Sequence, residues 1–386
     1  MNHRKKSVDF LGGEIIKSGK IMRNKKRIEP ISRSKFKERR DLKRDGFCDN
    51  LLPLESLDIA KVKTVDELVR AMSKTAFGGR NVGLAADVLE AMVCDKDCFV
   101  VGTFAGAMTV AKMGLLICEM IERGMLNAVI STGALMTHGM VEGAGMVHFK
   151  YDLRMDDREL FKSGYNRVYD TLELEKNLDD LELLVFKVFK KLNLKKIYSS
   201  RELLNEIGRY LSKELAKNKK SILKSAYQKK VPVYVPAFSD SEFALDIGVF
   251  NRRQKLKGKP GIMTSEMLDL ENFTELIAKQ KKIGIFTIGG GVPRNWAQQV
   301  APYLDLIDKR VGEGGRFIRY QYGVRICPEP VEWGGLSGCT YSEGISWGKF
   351  TPQEEGGQWA EVSCDATIAW PIILKAVIER LEKKRR

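Results

Sequence analysis

The chain has 386 residues, 44% hydrophobic and 30% charged, enough to bury a large core as one big domain or two small ones. No apolar run approaches the roughly 18 residues of a membrane span. The longest candidate, 105–121, is broken by Lys112 and Glu119, and no apolar segment follows the basic start as in a secretory signal.

The net charge of +15 is uneven, because residues 1–45 hold 16 Lys/Arg against 6 Asp/Glu. No aromatic RNA-binding signature accompanies that charge, which argues against a nucleic-acid partner. Residues 1–45 also lack apolar periodicity and read as a basic mobile arm, solvated or covering a partner. Residues 46–386 read as one domain, with folded structure beginning near Leu51.

Thr64 and Glu67 have the spacing of a capping box, and Val65, Leu68, Val69 and Met72 follow at helical spacing. A second helix is expected over 85–93. The run DCFVVGT at 97–103 reads as a buried strand, followed by a small-residue turn and a helix over 109–123 that Gly124 ends. NAVIST, 127–132, is the next strand, and Gly133-Ala134 the next turn. Strand, turn, helix, strand is a βαβ unit and implies a parallel sheet. Small residues at strand ends let backbone N–H groups approach phosphates closely.

Residues 165–225 are expected to be strongly helical and structural, with apolar faces at 181–192 and 203–215. VPVYV, 231–235, is a strand ending at Pro236-Ala237-Phe238-Ser239-Asp240. A helix is expected over 267–282, a strand over 283–288 ending in Gly289-Gly290-Gly291, and a terminal helix over 371–381. One open, mostly parallel α/β sheet with flanking helices fits best, with no internal repeat or interdomain linker.

Seven cysteines, with C-x3-C at 94–98 as the closest pair, make neither a zinc ribbon nor a disulfide framework. Reduced thiols in a cytoplasm are the simplest reading. With three histidines, no metal site is expected. His148 reads as a packing residue. His138 follows a candidate nucleotide turn and is weighed evenly as an acid–base group. Cys339 and Cys364 read as small packing residues.

The Gly/Ser-rich stretch 334–349, GGLSGCTYSEGISWGK, should be a loop, and it carries Glu343, Trp347 and Lys349. Lysine held against an aromatic wall loses hydration, which lowers its pKa. The neutral amine can then attack an imine or carbonyl and form a Schiff base. Composition alone favours a solvated loop lysine packed on a surface tryptophan.

S-W-G-K, followed by a short strand and Asp365-Ala366, resembles the C-terminal active-site region of deoxyhypusine synthases, and the resemblance runs from about residue 50 to the end. It implies a Rossmann-like fold, usually a homotetramer with sites at dimer interfaces. It also implies NAD-dependent oxidation of spermidine, with the four-carbon fragment held as an imine on Lys349 and passed to an acceptor amine. In the family, the turns matching Ser131-Thr132-Gly133-Ala134, Asp240, Gly289-Gly290 and Asp365-Ala366 line the NAD pocket. The ordinary G-x-G-x-x-G fingerprint is missing, so NAD rests on the resemblance. A strand-end aspartate can hydrogen-bond ribose or simply cap a helix. Glu343 and Trp347 match the polyamine-pocket positions, and Asp246, or alternatively Glu242, supplies a further carboxylate.

Where protein-modifying members carry histidine shortly after the Gly-Gly-Gly turn, this chain has Asn295. Trp333-Gly334-Gly335-Leu336 replaces an acidic run. Ala105-Gly106 replaces an S-N pair, and Thr137-His138 an acidic pair. The pattern is similar to divergent prokaryotic deoxyhypusine-synthase-like proteins, and Asn295 also to relatives that make homospermidine. The expected function is therefore 4-aminobutyl transfer from spermidine or a related polyamine through Lys349. The acceptor is left open between a protein lysine and putrescine or another small amine. A third reading, a non-catalytic nucleotide-binding or interaction protein, must explain why Lys349, Trp347 and Glu343 occur together.

Overall fold

The computed structural model describes residues 46–314 and 317–385. The expected basic arm, 1–45, lies outside the described residues. Residues 46–53 form a short turned segment in which the Leu51 N–H donates to the Gly46 carbonyl at 3.0 Å.

From Leu54 onward the chain is built on a six-stranded sheet. Its strands are β1 (Cys98–Phe104), β2 (Ala128–Ser131), β3 (Val233–Tyr234), β4 (Lys282–Ile288), β5 (Tyr320–Ile326) and β6 (Gln358–Val362). They lie in the order β6-β5-β4-β1-β2-β3, every pairing parallel. This is the order of a doubly wound Rossmann sheet, and the direction of winding reverses between β1 and β4. Those two strands run in full register, from Cys98 beside Lys282 to Phe104 beside Ile288.

Strand side chains alternate between faces, and here both faces are covered. Val100, Phe104, Val129, Phe286 and Ile288 enter one core with Leu89, Met92 and Trp370. Val101, Ala128, Ile130, Ile283 and Ile285 enter the other with Phe273, Ile277, Ala297 and Val300. The first face is thus roofed by the helices Phe77–Cys94 and Ala366–Arg385, and the second by Glu266–Ala278 and Gly291–Val311.

The last helix is tied to the helices Val65–Ser73 and Phe77–Cys94 by one arginine. Arg380 is 2% exposed. Its guanidinium donates to Asp66 at 2.6 Å, Asp87 at 2.7 Å and Glu90 at 3.0 Å. A buried charge needs such partners to offset its desolvation.

Several elements differ from the sequence expectation. Thr64 caps the helix Val65–Ser73, but the Glu67 carboxylate accepts from Lys63 N–H, so only half of the capping box forms. The helix expected over 109–123 starts at Gly114, because Lys112 takes a left-handed φ of +65° that breaks the earlier turns. Gly133-Ala134 opens the helix Gly133–Gly143 and is not a free turn. The segment expected to be helical from 165 begins with an antiparallel hairpin, Tyr165–Val168 with Thr171–Leu174, whose second strand also pairs with Phe149–Lys150. The strand β5 and the helix Gly291–Val311 were not anticipated. The terminal helix starts at Ala366, five residues ahead of Pro371, with the Asp365 carboxylate accepting from Thr367 N–H at 2.8 Å.

Candidate functional site

All six strands point their C-termini to one edge, and the residues singled out from the sequence cluster in the connections there. After β5 the chain makes the loop 327–340. It then forms the short helix Tyr341–Ser346, which Thr340 caps by accepting from Glu343 N–H at 3.1 Å. Lys349 follows at once. Its backbone is clamped on both sides: its N–H donates to Gly344, and its carbonyl accepts from Tyr320 N–H, each at 3.0 Å. Phe350 then packs among Tyr320 and Tyr341 in the second core.

This clamp drives the lysine inward. Lys349 is 7% exposed, and its Nζ donates to Asn295 Oδ1 at 3.1 Å. Nζ also lies 5.8 Å from the ring centroid of Trp347, which is itself exposed. Burial, the largest cause, pulls the Lys349 pKa below its ordinary value. Cys339 opposes that shift, Arg294 adds to it and Glu343 opposes it. Lys349, Asn295, Trp347 and Glu343 are thus brought together on the basis of contacts and electrostatic proximity.

Two buried arginines hold the loop 327–340 that leads to this lysine, and the sequence reading missed both. Arg294 donates to the carbonyls of Ser337 at 3.3 Å and Cys339 at 2.6 Å, and lies over the ring of Tyr341. Arg325 donates to the same carbonyls at 2.6 and 2.8 Å and pairs with Glu361 at 3.0 Å. Glu361 in turn accepts from Tyr341 N–H at 3.1 Å. The available signal was indirect: Arg294 precedes Asn295, and Arg325 sits between Val324 and Ile326 in a mostly apolar strand.

The dinucleotide candidates occupy the same edge. The β1 end meets the β4 end through Ala105 N–H donating to Ile288 C=O, and Gly289 N–H donates to Ile326 C=O. Gly289 and Gly291 have φ of +74° and +59°, conformations that favour glycine. Gly290 is needed for a different reason: a Cβ there would stand 2.5 Å from Ser337 Cα. No side chain caps the helix that begins at Gly291, so its first N–H groups have no capping side chain. Ser131 Oγ, at the end of β2, is buried without a hydrogen-bond partner. An uncapped helix N-terminus and an orphaned hydroxyl near the reversal of strand order are a donor set that fits a bound dinucleotide phosphate or ribose.

The remaining candidates are more varied. Thr132 caps the helix Gly133–Gly143, and Gly133 packs so closely on Ser241 that a Cβ would lie 2.4 Å from that side chain. Asp240 is exposed after β3, Asp365 caps the last helix, and Ala366 is buried at its start. Asp246 is not joined to Lys349 by any contact among the described residues. It sits one turn beyond Glu242 on the helix Glu242–Leu256. Burial, with Glu182 and then Glu242 adding to it, pushes its pKa up to about 7.

A second cluster lies beside that helix. His138 Nδ1 is 2.5 Å from Glu173 Oε2, His148 Nε2 is 3.4 Å from Glu173 Oε1, and His138 Nε2 is 3.8 Å from Glu242 Oε1. His138 and His148 therefore share one buried carboxylate, whereas the sequence pattern assigned His148 to packing and did not single out Glu173. Burial opposes charge on Glu173 and on His138, but their mutual contact holds the Glu173 pKa down at about 2 and the His138 pKa up.

The family model described as deoxyhypusine synthase matches residues 67–377. A relative from Methanosarcina acetivorans named probable deoxyhypusine synthase 2 is 32% identical over 340 residues, spanning 88% of this chain and 93% of the relative. A deoxyhypusine synthase-like protein from Chlorobaculum parvum is 32% identical over 342 residues, 87% of this chain and 91% of the relative. A crystal structure from Entamoeba histolytica, provisionally named a deoxyhypusine synthase, aligns with a TM-score of 0.54 at 14% identity, covering 84% of this chain and 97% of that one.

Proposed function

Because the chain belongs to the deoxyhypusine synthase family, we propose that it is a transferase that moves a 4-aminobutyl group from spermidine or a related polyamine to an acceptor amine through an imine on Lys349. The observation that carries this reading is a buried lysine with a depressed pKa, its Nζ held 3.1 Å from a neutral amide oxygen. An amine in that setting reaches its nucleophilic, unprotonated form at lower pH than a solvated lysine.

Ser131, Thr132, Gly133, Gly289 and Gly290, with Asp240, Asp365 and Ala366, are the residues that would hold NAD. When bound, NAD would supply a reversible hydride acceptor, so that a C–N bond of the polyamine becomes an imine and is later returned to an amine. The chain's own residues do the rest. Lys349 Nζ attacks the substrate imine carbon, and the bond to the departing amine breaks as that amine takes up a proton. The product is 1,3-diaminopropane, and the butyl fragment stays on Lys349. The acceptor amine then attacks the same carbon and frees the lysine. Asn295 orients Nζ without exchanging protons with it. Trp347 offers an aromatic wall for methylenes and ammonium, and Glu343 a carboxylate for the cationic end.

Water must be kept from the imine. Trp333, Leu336 and Trp347 are exposed around the site, which supports closure by a second copy of the chain within a homotetramer. The neutral Asn295 favours a second reading, in which putrescine or another small amine is the acceptor in place of a protein lysine.

The test is a product assay with purified protein, NAD and spermidine, with and without putrescine, beside Lys349→Ala. Lys349-dependent diaminopropane and a borohydride-trapped mass on Lys349 support the transfer. Homospermidine on adding putrescine identifies the small-amine acceptor. Neither diaminopropane nor an adduct would remove spermidine as the donor.

A further inference from the structure

The cluster His138–His148–Glu173 has no part in that chemistry, and it brings together three distant pieces of chain. His138 is on the helix Gly133–Gly143, His148 immediately precedes the edge strand Phe149–Lys150, and Glu173 is on the central strand Thr171–Leu174 of the small antiparallel sheet. One potential ligand atom from each residue lies within 4.8 Å of the other two. The side chains of His148 and Glu173 are each 1% exposed, and that of His138 is 12% exposed.

We propose that His138, His148 and Glu173 bind one divalent transition-metal ion of the zinc class. Imidazole nitrogens with a carboxylate oxygen suit such an ion. The convergence alone would also describe an ion-paired network, but the orientation of the groups favours metal. His138 Nδ1, His148 Nε2 and Glu173 Oε1 are buried and face one another, and although Glu173 stands 2.5 Å from His138 and 3.4 Å from His148, none of the three atoms makes a well-aligned hydrogen bond. Buried polar atoms normally find partners, and a cation at their centre would serve all three.

The spacing is close to what coordination requires. Bonds of ~2.0–2.1 Å in tetrahedral geometry set ligand atoms about 3.3 Å apart. His148 and Glu173 are at 3.4 Å, whereas the 2.5 Å between His138 and Glu173 must open slightly. The outer shell fits on one side. A metal-bound histidine usually donates its other ring N–H to a carboxylate, and His138 Nε2 faces Glu242 at 3.8 Å.

On the other side Lys112 Nζ lies 2.8 Å from His148 Nδ1, so Nδ1 acts as acceptor and the ring proton is on Nε2. Metal binding moves that proton to Nδ1 and turns Lys112 away. Glu142 Oε1, 3.6 Å from Nζ, is already placed to receive it. Lys112 is thus a competitor of the ion. With three protein ligands, water completes the sphere on the partly exposed His138 side. The ion would pin the small sheet to the helix that starts at the Thr132-Gly133 turn.

The experiment uses the full chain purified without a metal-chelating tag. Bound zinc is counted by elemental analysis, ZnCl2 is titrated against a chromophoric chelator, and CoCl2 is bound for its visible spectrum. One ion per chain is expected, with a nitrogen/oxygen cobalt spectrum free of thiolate charge transfer. Affinity should fall about tenfold or more in Glu242→Gln and be lost in His148→Ala, whereas Lys112→Met should bind more tightly. Failure of the wild-type chain to bind zinc or cobalt overturns the proposal and leaves an ion-paired network. A thiolate band, or zinc retained by His148→Ala, places the ion on cysteines and also overturns it. If His148→Ala does not fold, the wild-type cobalt spectrum and Glu242→Gln still decide.

Discussion

The amine of Lys349 and the amide oxygen of Asn295 meet at 3.1 Å although 54 residues separate them. The contact joins the helix Gly291–Val311 to the segment after the short helix Tyr341–Ser346. An amide oxygen accepts from the amine whether or not the amine is charged, so it positions Nζ without fixing an ammonium there. A carboxylate in the same place would hold the ammonium. Asn295→Asp is therefore expected to move the alkaline-rising limb of the transfer rate up by about 1 pH unit, with roughly tenfold loss of rate at fixed pH below that limb. A pH–rate profile of both proteins checks this; an unmoved limb would show that Lys349 ionisation does not set the rate.

The same lysine gives the fold a pH dependence of known sign. Its folded pKa is lowered, first by burial. Between that value and the ordinary one near 10.4 the unfolded chain binds more protons, so the Lys349 contribution to stability rises with pH. Below the folded pKa the penalty is fully present. Lys349→Met should raise Tm most at neutral pH, and the gain should shrink as pH approaches about 10.4. Thermal melts from pH 6 to 10 measure it.

Arg325 holds Ser337 and Cys339 while pairing with Glu361. Arg325→Met leaves Glu361 without its cation and two loop carbonyls with only Arg294. The expected cost is about 3 kcal/mol, the low end for a buried pair stripped of one partner. Denaturant unfolding gives the stability. Hydrogen exchange should show faster opening over 334–340, the loop whose carbonyls Arg325 holds.

Asp246 shows the opposite sign. Its pKa is up at about 7, through burial and then the like charges of Glu182 and Glu242, while Arg253 is engaged by Glu182 at 3.1 Å. Below about pH 3.9 both folded and unfolded forms are protonated and the group costs nothing. Stability is lost as pH rises from there through about 7. Asp246→Asn should therefore raise Tm at pH 8 and leave it nearly unchanged at pH 3.5, where the native Asp is already neutral. If a cationic end of the substrate docks here, its binding to the wild-type chain at pH 7 should release protons, measurable by calorimetry in two buffers.

The parts of the fold that the sequence made legible are those where local pattern and tertiary role agree. The runs at 98–104 and 282–288 are apolar because both faces of the central strands are buried. β5 was hidden because Gln321 and Arg325 interrupt it, and Arg325 points polar atoms into a loop that no local pattern announces. The hairpin 165–174 was hidden because charged, exposed positions dilute its alternation. At the site, Lys349, Trp347 and Glu343 were legible as one short motif. Asn295 came from the resemblance, and its contact with Lys349 came only from the fold. The pairing of His138 with His148 through Glu173 depends on the small sheet folding back on the helix Gly133–Gly143, so a histidine count could not reveal it.

The Arg380–Asp66 contact spans 314 residues. During synthesis Asp66 is made long before Arg380 and has Arg70, at 2.9 Å, to pair with until then. The first core lacks Trp370 until then. A nascent fragment that already contains β1 to β5 still lacks the helix Ala366–Arg385 over its first core, a form suited to chaperone capture and proteolysis. The helix Ala366–Arg385 thus closes the first core late, and the sheet gains its full cover only once that helix is made.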